Sequence, residues 1–211
     1  MLIVALTGGI ASGKSVVAGF LRERGCAVHS ADTTAHEVVA PGSPAWKSLV
    51  DHFGAGILNA DRTIDRRRLG AVVFSEEKER LFLNSVIHPL VMKKKREAVE
   101  RLEKEGRHKI FISEAALTIE SGFVSFYDKV IVVFCLPEIQ EERLMARDGI
   151  SRDEARRKIR AQMPVEAKKS RADYLIDSSG SKVETEKLTD VLFRRLVLDY
   201  EEKERRGGNR G

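Results

Sequence analysis

The stretch LTGGIASGKSVVAGFL, residues 6–21, decides the fold. From Gly8 to Ser15 it holds three glycines, two serines and one lysine, and it fits G-x-x-x-x-G-K-[ST] through Gly8, Gly13, Lys14 and Ser15. The apolar run Leu2–Leu6 in front reads as a buried strand, and the segment from Gly13 to about Arg24 reads as a helix closed by Gly25. Strand, glycine-rich loop and helix in that order make a phosphate cradle rather than a chance turn. Backbone N–H groups from Gly8, Gly9, Ile10, Ala11, Ser12, Gly13, Lys14, Ser15 and Val16 can line such a loop, where most side chains would obstruct a phosphate. The helix N-terminus adds partial positive charge, the Lys14 ammonium a full one, and the Ser15 hydroxyl a ligand for Mg2+. The stretch predicts a bound nucleoside triphosphate.

Further along the chain, short apolar runs alternate with helical lengths. Cys26–His29, Ile110–Ser113, Lys129–Phe134 and Tyr174–Asp177 read as four more strands, giving five with the first. Near-continuous apolar strands separated by helices predict an α/β, three-layer domain with a parallel sheet covered on both faces. Two segments break the alternation. Residues 34–105 hold helical patterns interrupted by APGSPAW and by His88-Pro89, where proline predicts a bend or break near Ile87–His88. Residues 137–171 form a second helical excursion, rich in arginine. The expected organisation is one domain: a core of 1–33, 106–136 and 172–204, an inserted lobe of 34–105, a second excursion of 137–171, and a frayed tail of 205–211. In the last helix, Leu188, Val191, Leu192 and Leu196 form a stripe expected to face the core.

Composition narrows the function. With 42% hydrophobic and 33% charged residues the chain reads as globular, and no apolar run reaches membrane-span length. The first residues lack the basic region and cleavage site of a secretion signal. Cys26 and Cys135 have no metal-ligand spacing and read as reduced core residues, so the cytoplasm is the expected location. The net charge of +5 suits a polyanionic small molecule. It could also suit nucleic acid, but the basic clusters Arg66-Arg67-Arg68 and Lys93-Lys94-Lys95-Arg96 have no interleaved aromatic residues to stack bases. The expected partners are small molecules, with no nucleic acid, membrane or obligate protein partner.

A phosphate loop does not by itself separate a kinase from an ATPase or a regulatory module. Asp32 follows the second strand, where a carboxylate can accept a hydroxyl proton or hold Mg2+. It can equally cap the helix beginning Thr33-Thr34-Ala35-His36, and the residues alone leave both readings open. The elements GGIASGKS, SADTTAHEVV, IHPLV, ESG and AQMPVEAKKSRADYLID, in this order, resemble the dephospho-coenzyme A kinase family from Leu2 to about Gly180. The D-x-x-A-H element followed by a helical lobe and H-P-L is the most specific part.

The resemblance implies a P-loop fold of the nucleoside-monophosphate-kinase type, with a five-stranded parallel core, a helical acceptor lobe and a lid. It implies transfer of the γ-phosphoryl group of ATP, with Mg2+, to the ribose 3′-hydroxyl of dephospho-coenzyme A, the last step of coenzyme A synthesis. Asp32 falls on the catalytic aspartate and Lys14 on the phosphate-loop lysine. Thr33, His36, His88 and Glu120 fall on the acceptor side, though a lone histidine such as His88 can also be purely structural. Arg143 and Arg147 fall among the lid arginines that approach the triphosphate, with Arg147 the candidate for transition-state charge; both can also lie on a solvated face. Gln162 and Lys168 match the A-Q…K pattern, and Ile176 to Gly180, with Ser179 and Gly180 the candidate contacts, fall where the backbone borders adenine. The chain departs from the family pattern at Ser30, where many members carry a first acid; at Ala116-Leu117-Thr118 in place of proline-leucine-leucine; and at Ser179 in place of asparagine. Glu114 is a candidate to supply the acidic character missing at Ser30. The rival readings are another small-molecule kinase of the same fold and a non-catalytic nucleotide-binding module. A GTP switch is disfavoured because no Asn-Lys-x-Asp element is present.

Overall fold

The computed structural model describes residues 1–208. The chain divides into two compact units, Met1–Ser30 with the chain from Arg101 onward, and Ala31–Glu100. The first unit is built on a parallel sheet of β1 (Leu2–Gly8), β2 (Ala27–Ser30), β3 (Ile110–Glu114), β4 (Lys129–Phe134) and β5 (Tyr174–Asp177). Its strand order is β2-β3-β1-β4-β5. The order reverses around β1, which places the carboxyl ends of β1, β3 and β4 side by side at the crevice where α/β sheets bind ligands. Register confirms this alignment: Leu6 stands opposite Glu114 on one side and Ile131 on the other.

Alternation along β1 covers both faces of the sheet. Leu2, Val4 and Leu6 pack with Val17, Ala18 and Leu21 of helix α1 (Lys14–Glu23) and with Leu192 and Leu196 of the C-terminal helix. Ala5 faces the other way, into a smaller cluster with Ile119, Val130 and Val132. Full burial of one such aliphatic side chain is worth roughly 1.5–3 kcal/mol. Strands this apolar on both faces require helices above and below, which gives the three layers.

The second unit holds α2 (Ala31–Val38), α3 (Pro44–Phe53), α4 (Arg66–Ser75) and most of α5 (Glu77–Glu105). The APGSPAW segment is a loop followed by a helix start: the Ser43 side chain accepts from the Trp46 N–H and Pro44 takes the first turn. Trp46, Leu49, Ile57, Leu69 and Val73 form a separate core. The excursion after β4 consists of α6 (Pro137–Asp148), α7 (Arg152–Arg160) and α8 (Val165–Lys169), and the described residues end in α9 (Lys182–Gly208). No helix among the described residues is long and apolar enough to cross a membrane.

Four expectations need correction. The break near Ile87–His88 does not occur, and α5 runs unbroken through Pro89 for 29 residues. Leu83, Val86, Ile87 and Leu90 pack against the second core on both sides of the proline, and this packing holds the helix across the missing N–H. Of the α9 stripe, Leu192 and Leu196 are buried but Leu188 and Val191 are 42% and 53% exposed. Residues 205–208 are helical rather than frayed, and 209–211 lie outside the described residues. The lobe begins at Ala31 and ends at Glu100, a few residues earlier at both ends than expected.

Candidate active site

The phosphate loop joins β1 directly to α1. Gly8 must be glycine, because a Cβ there would lie 2.1 Å from the Val133 carbonyl oxygen of neighbouring β4. Gly13, at φ +85°, turns the loop into α1, whose start has no capping side chain. A helix N-terminus carries partial positive charge suited to an anion. Ala11 sits at φ +57°, a left-handed conformation that costs a non-glycine residue energy and needs surrounding contacts to hold it. Lys14 folds back over the loop, its Nζ donating to the carbonyls of Gly9 at 2.7 Å and Gly8 at 3.2 Å. A triphosphate oxygen is the stronger acceptor for the same ammonium.

The Ser15 hydroxyl donates to Glu114 Oε1 at 2.6 Å. Glu114 ends β3 and is in register with Ser30 at the end of β2, so the carboxylate absent at Ser30 is present one strand away. Hydroxyl and carboxylate oxygens suit Mg2+, which prefers hard oxygen ligands and keeps several waters beside substrate phosphates. Among the described residues no group of three or more His, Cys, Asp or Glu could hold a metal ion.

The excursion after β4 reaches the loop through its helices. Gln140 of α6 donates from Nε2 to the Ile10 carbonyl at 2.7 Å, and Gln162, just after α7, accepts the Ile10 N–H at 2.7 Å. Arg143, one turn along α6, donates to the Ser178 carbonyl at 2.8 Å. The Ser178 hydroxyl in turn donates to the Ser12 carbonyl at 2.7 Å. Arg143 is thus at the loop. Arg147 is exposed and its Nε donates to Asp148 Oδ1 at 2.8 Å. Hydrogen bonds from Arg147 and Lys158 hold the Asp148 carboxyl down at about 2.

Ser179 and Gly180 occupy the loop after β5. Ser179 Oγ accepts the Leu136 N–H at 2.9 Å, so the serine that reaches the phosphate loop is Ser178. Lys168 is wholly buried, donating to the Ala116 carbonyl at 2.8 Å and pairing with Glu120 Oε1 at 2.7 Å. Glu120, expected on the acceptor side, is thereby anchored beneath the loop after β3.

The other expected acceptor residues belong to the second unit. Asp32, Thr33 and His36 lie on α2 and are exposed. Asp32 is the second residue of α2, not the residue before its start, so it is not the helix N-cap. His88 is half-buried in α5, and burial, with the positive charge of Lys95, lowers its pKa. Sequence reasoning missed Gln140, and it placed Ser178 only within the 176–180 segment beside the adenine rather than at the phosphate loop. A lone glutamine on an amphipathic helix and a serine in a loop carry no motif, and only contacts across more than a hundred residues give them a role.

A five-stranded parallel sheet with a phosphate loop after its first strand, a lysine over that loop, and an arginine and two glutamines reaching it from the excursion after β4 define a P-loop kinase. The dephospho-CoA kinase family profile (CoaE) matches residues 2–184, and the chain belongs to that family. It is 41% identical over 198 residues to the dephospho-CoA kinase of Halalkalibacterium halodurans, covering 93% of this chain and 98% of that one. A solved Thermus thermophilus protein superposes with a TM-score of 0.79 at 31% identity, over 92% of this chain and 97% of that one. The dephospho-CoA kinase of Campylobacter jejuni superposes with a TM-score of 0.67 at 27% identity, over 92% and 96% of the two chains.

Proposed function

We infer that this chain transfers the γ-phosphoryl group of ATP to the ribose 3′-hydroxyl of dephospho-coenzyme A. The observation that carries the reading is the phosphate loop with Lys14 over it and Ser15 bonded to Glu114, in a chain of this family. Loop N–H groups and Lys14 hold the outer phosphates, Arg143 borders them from α6, and Arg147 turns inward to meet charge that grows on the transferring group. Ser15, held by Glu114, would be the protein ligand for Mg2+, and the ion would supply positive charge beside the nucleotide phosphates. Asp32, two residues past the end of β2, orients the acceptor hydroxyl and takes its proton. Thr33, His36 and His88 serve the acceptor, and Glu120, paired with the buried Lys168, fixes the loop after β3. Ser179 and Gly180 border the adenine. The excursion of 137–171 acts as a lid that keeps water from the γ-phosphoryl group. Reaction partners are small molecules, and the expected location is the cytoplasm.

The test is ADP release by the purified chain with and without dephospho-coenzyme A. Release that depends on this acceptor, with a product carrying the new phosphate at the 3′ position, is expected. ATP hydrolysis indifferent to the acceptor would overturn the reading.

A further inference from the structure

Ile10 has both of its main-chain polar groups taken by side chains from distant parts of the sequence. Its carbonyl receives Gln140 Nε2 at 2.7 Å, and its N–H reaches Gln162 Oε1 at 2.7 Å. The orientation of each amide follows from chemistry, since a carbonyl needs a donor and an N–H needs an acceptor. Gly9 makes room for this pair: a Cβ there would come within 2.6 Å of Gln140 Nε2. The next residue, Ala11, holds its left-handed φ of +57° only while its neighbours fix it. The helix carrying Gln140 also carries Arg143, which reaches the other end of the loop through Ser178 and Ser12. One rigid helix therefore grips the loop at Ile10 and at Ser12.

We propose that Gln140 and Gln162 form a clamp on Ile10 that holds the phosphate loop in its triphosphate-binding shape and sets α6, with its arginines, in register with the bound phosphates. They are positioning residues: they act through the Ile10 peptide and touch no reacting atom. The proposal rests on the phosphoryl-transfer reading above. Without the clamp the Ala11 turn relaxes, and binding ATP must first restore it, which weakens ATP binding and misaligns Arg143. The acceptor, which does not use this peptide, binds as before.

The experiment uses the full chain and reads the ATP dissociation constant, kcat, the KM for each substrate and the melting temperature. Gln140→Met and Gln162→Met each remove one neutral hydrogen bond, so each raises the ATP dissociation constant between about twofold and tenfold. Each also lowers kcat, and leaves the KM for dephospho-coenzyme A unchanged. In a double variant the two losses fall short of multiplying, because either deletion already frees the peptide. A second pair reads the polarity of the clamp. Gln162→Glu retains an acceptor for the Ile10 N–H, whereas Gln140→Glu sets a carboxylate against the Ile10 carbonyl. Both add the same charge beside the same peptide, so their difference isolates the hydrogen bonds. The expected result is a kcat/KM for ATP about tenfold higher in Gln162→Glu than in Gln140→Glu, with both chains folded. Equal losses in this pair, or Met variants with wild-type ATP affinity and kcat, would overturn the clamp. A wild-type chain without acceptor-dependent ADP release would instead overturn the phosphoryl-transfer reading, so the two failures are distinct.

Discussion

At the scale of single residues, the phosphate loop was legible because its chemistry is local. Glycines, lysine and serine within eight positions serve one ligand, and the structure brings them together around the turn into α1. Lys14→Ala removes the one full positive charge on the loop while leaving the sheet and α1 packed. Loss of a comparable electrostatic contact costs about 10²–10³ in rate, so kcat should fall by at least that factor with the melting temperature nearly unchanged. Turnover close to wild type in a folded variant would contradict the phosphate role. Asp32 calls for a different argument, since its open alternative was capping. Inside the first turn of α2 its charge is worth about 0.3–1 kcal/mol to the helix dipole, and Asp32→Asn forfeits little more than that in stability. If the carboxylate takes the acceptor proton, kcat should fall about 10²–10⁴-fold in the same variant. Steady-state rates and a thermal melt on that one protein compare the two roles, and an unchanged kcat would leave only the helix role.

At the scale of elements, what was legible followed from periodicity, and what was not followed from packing between distant segments. The runs Lys129–Phe134 and Tyr174–Asp177 coincide with β4, whose continuous apolar sequence is covered, and with the edge strand β5, in which only Ile176 is buried. The unbroken α5 was not legible, because the flanking turns bury apolar side chains that no local rule weighs against one proline. Helix α6 shows the same limit for function. Its arginines were legible as phosphate-seeking groups, but Arg143 is engaged at the loop while Arg147, four residues on, is held by Asp148. That ion pair is exposed and so worth little, which leaves Arg147 able to exchange its partner for a phosphate. Arg147→Ala should therefore lower kcat by about ten- to a hundredfold and barely change the KM for dephospho-coenzyme A. A change confined to the acceptor KM would place Arg147 with the acceptor residues instead.

At the scale of the whole molecule, the sequence divides into two units because the second, Ala31–Glu100, carries an apolar core of its own around Trp46 and Leu49. One buried residue of that unit runs against the logic of a core. Lys95 is 3% exposed on α5, and burial lowers its pKa from 10.5 to about 8. A folded pKa below the unfolded one means that the unfolded chain holds the proton more tightly between those two values. Stability is therefore reduced throughout the range below about 8, where the folded chain must keep a buried ammonium, and rises as pH climbs from about 8 towards 10.5. The displacement corresponds to on the order of 3 kcal/mol. Lys95→Met removes the titrating group, so the unfolding free energy of the wild type relative to the variant should rise by about 1–3 kcal/mol between pH 7 and pH 10. Urea unfolding of both proteins at the two pH values would measure the change. A difference that is the same at both would show that folding does not displace the Lys95 proton.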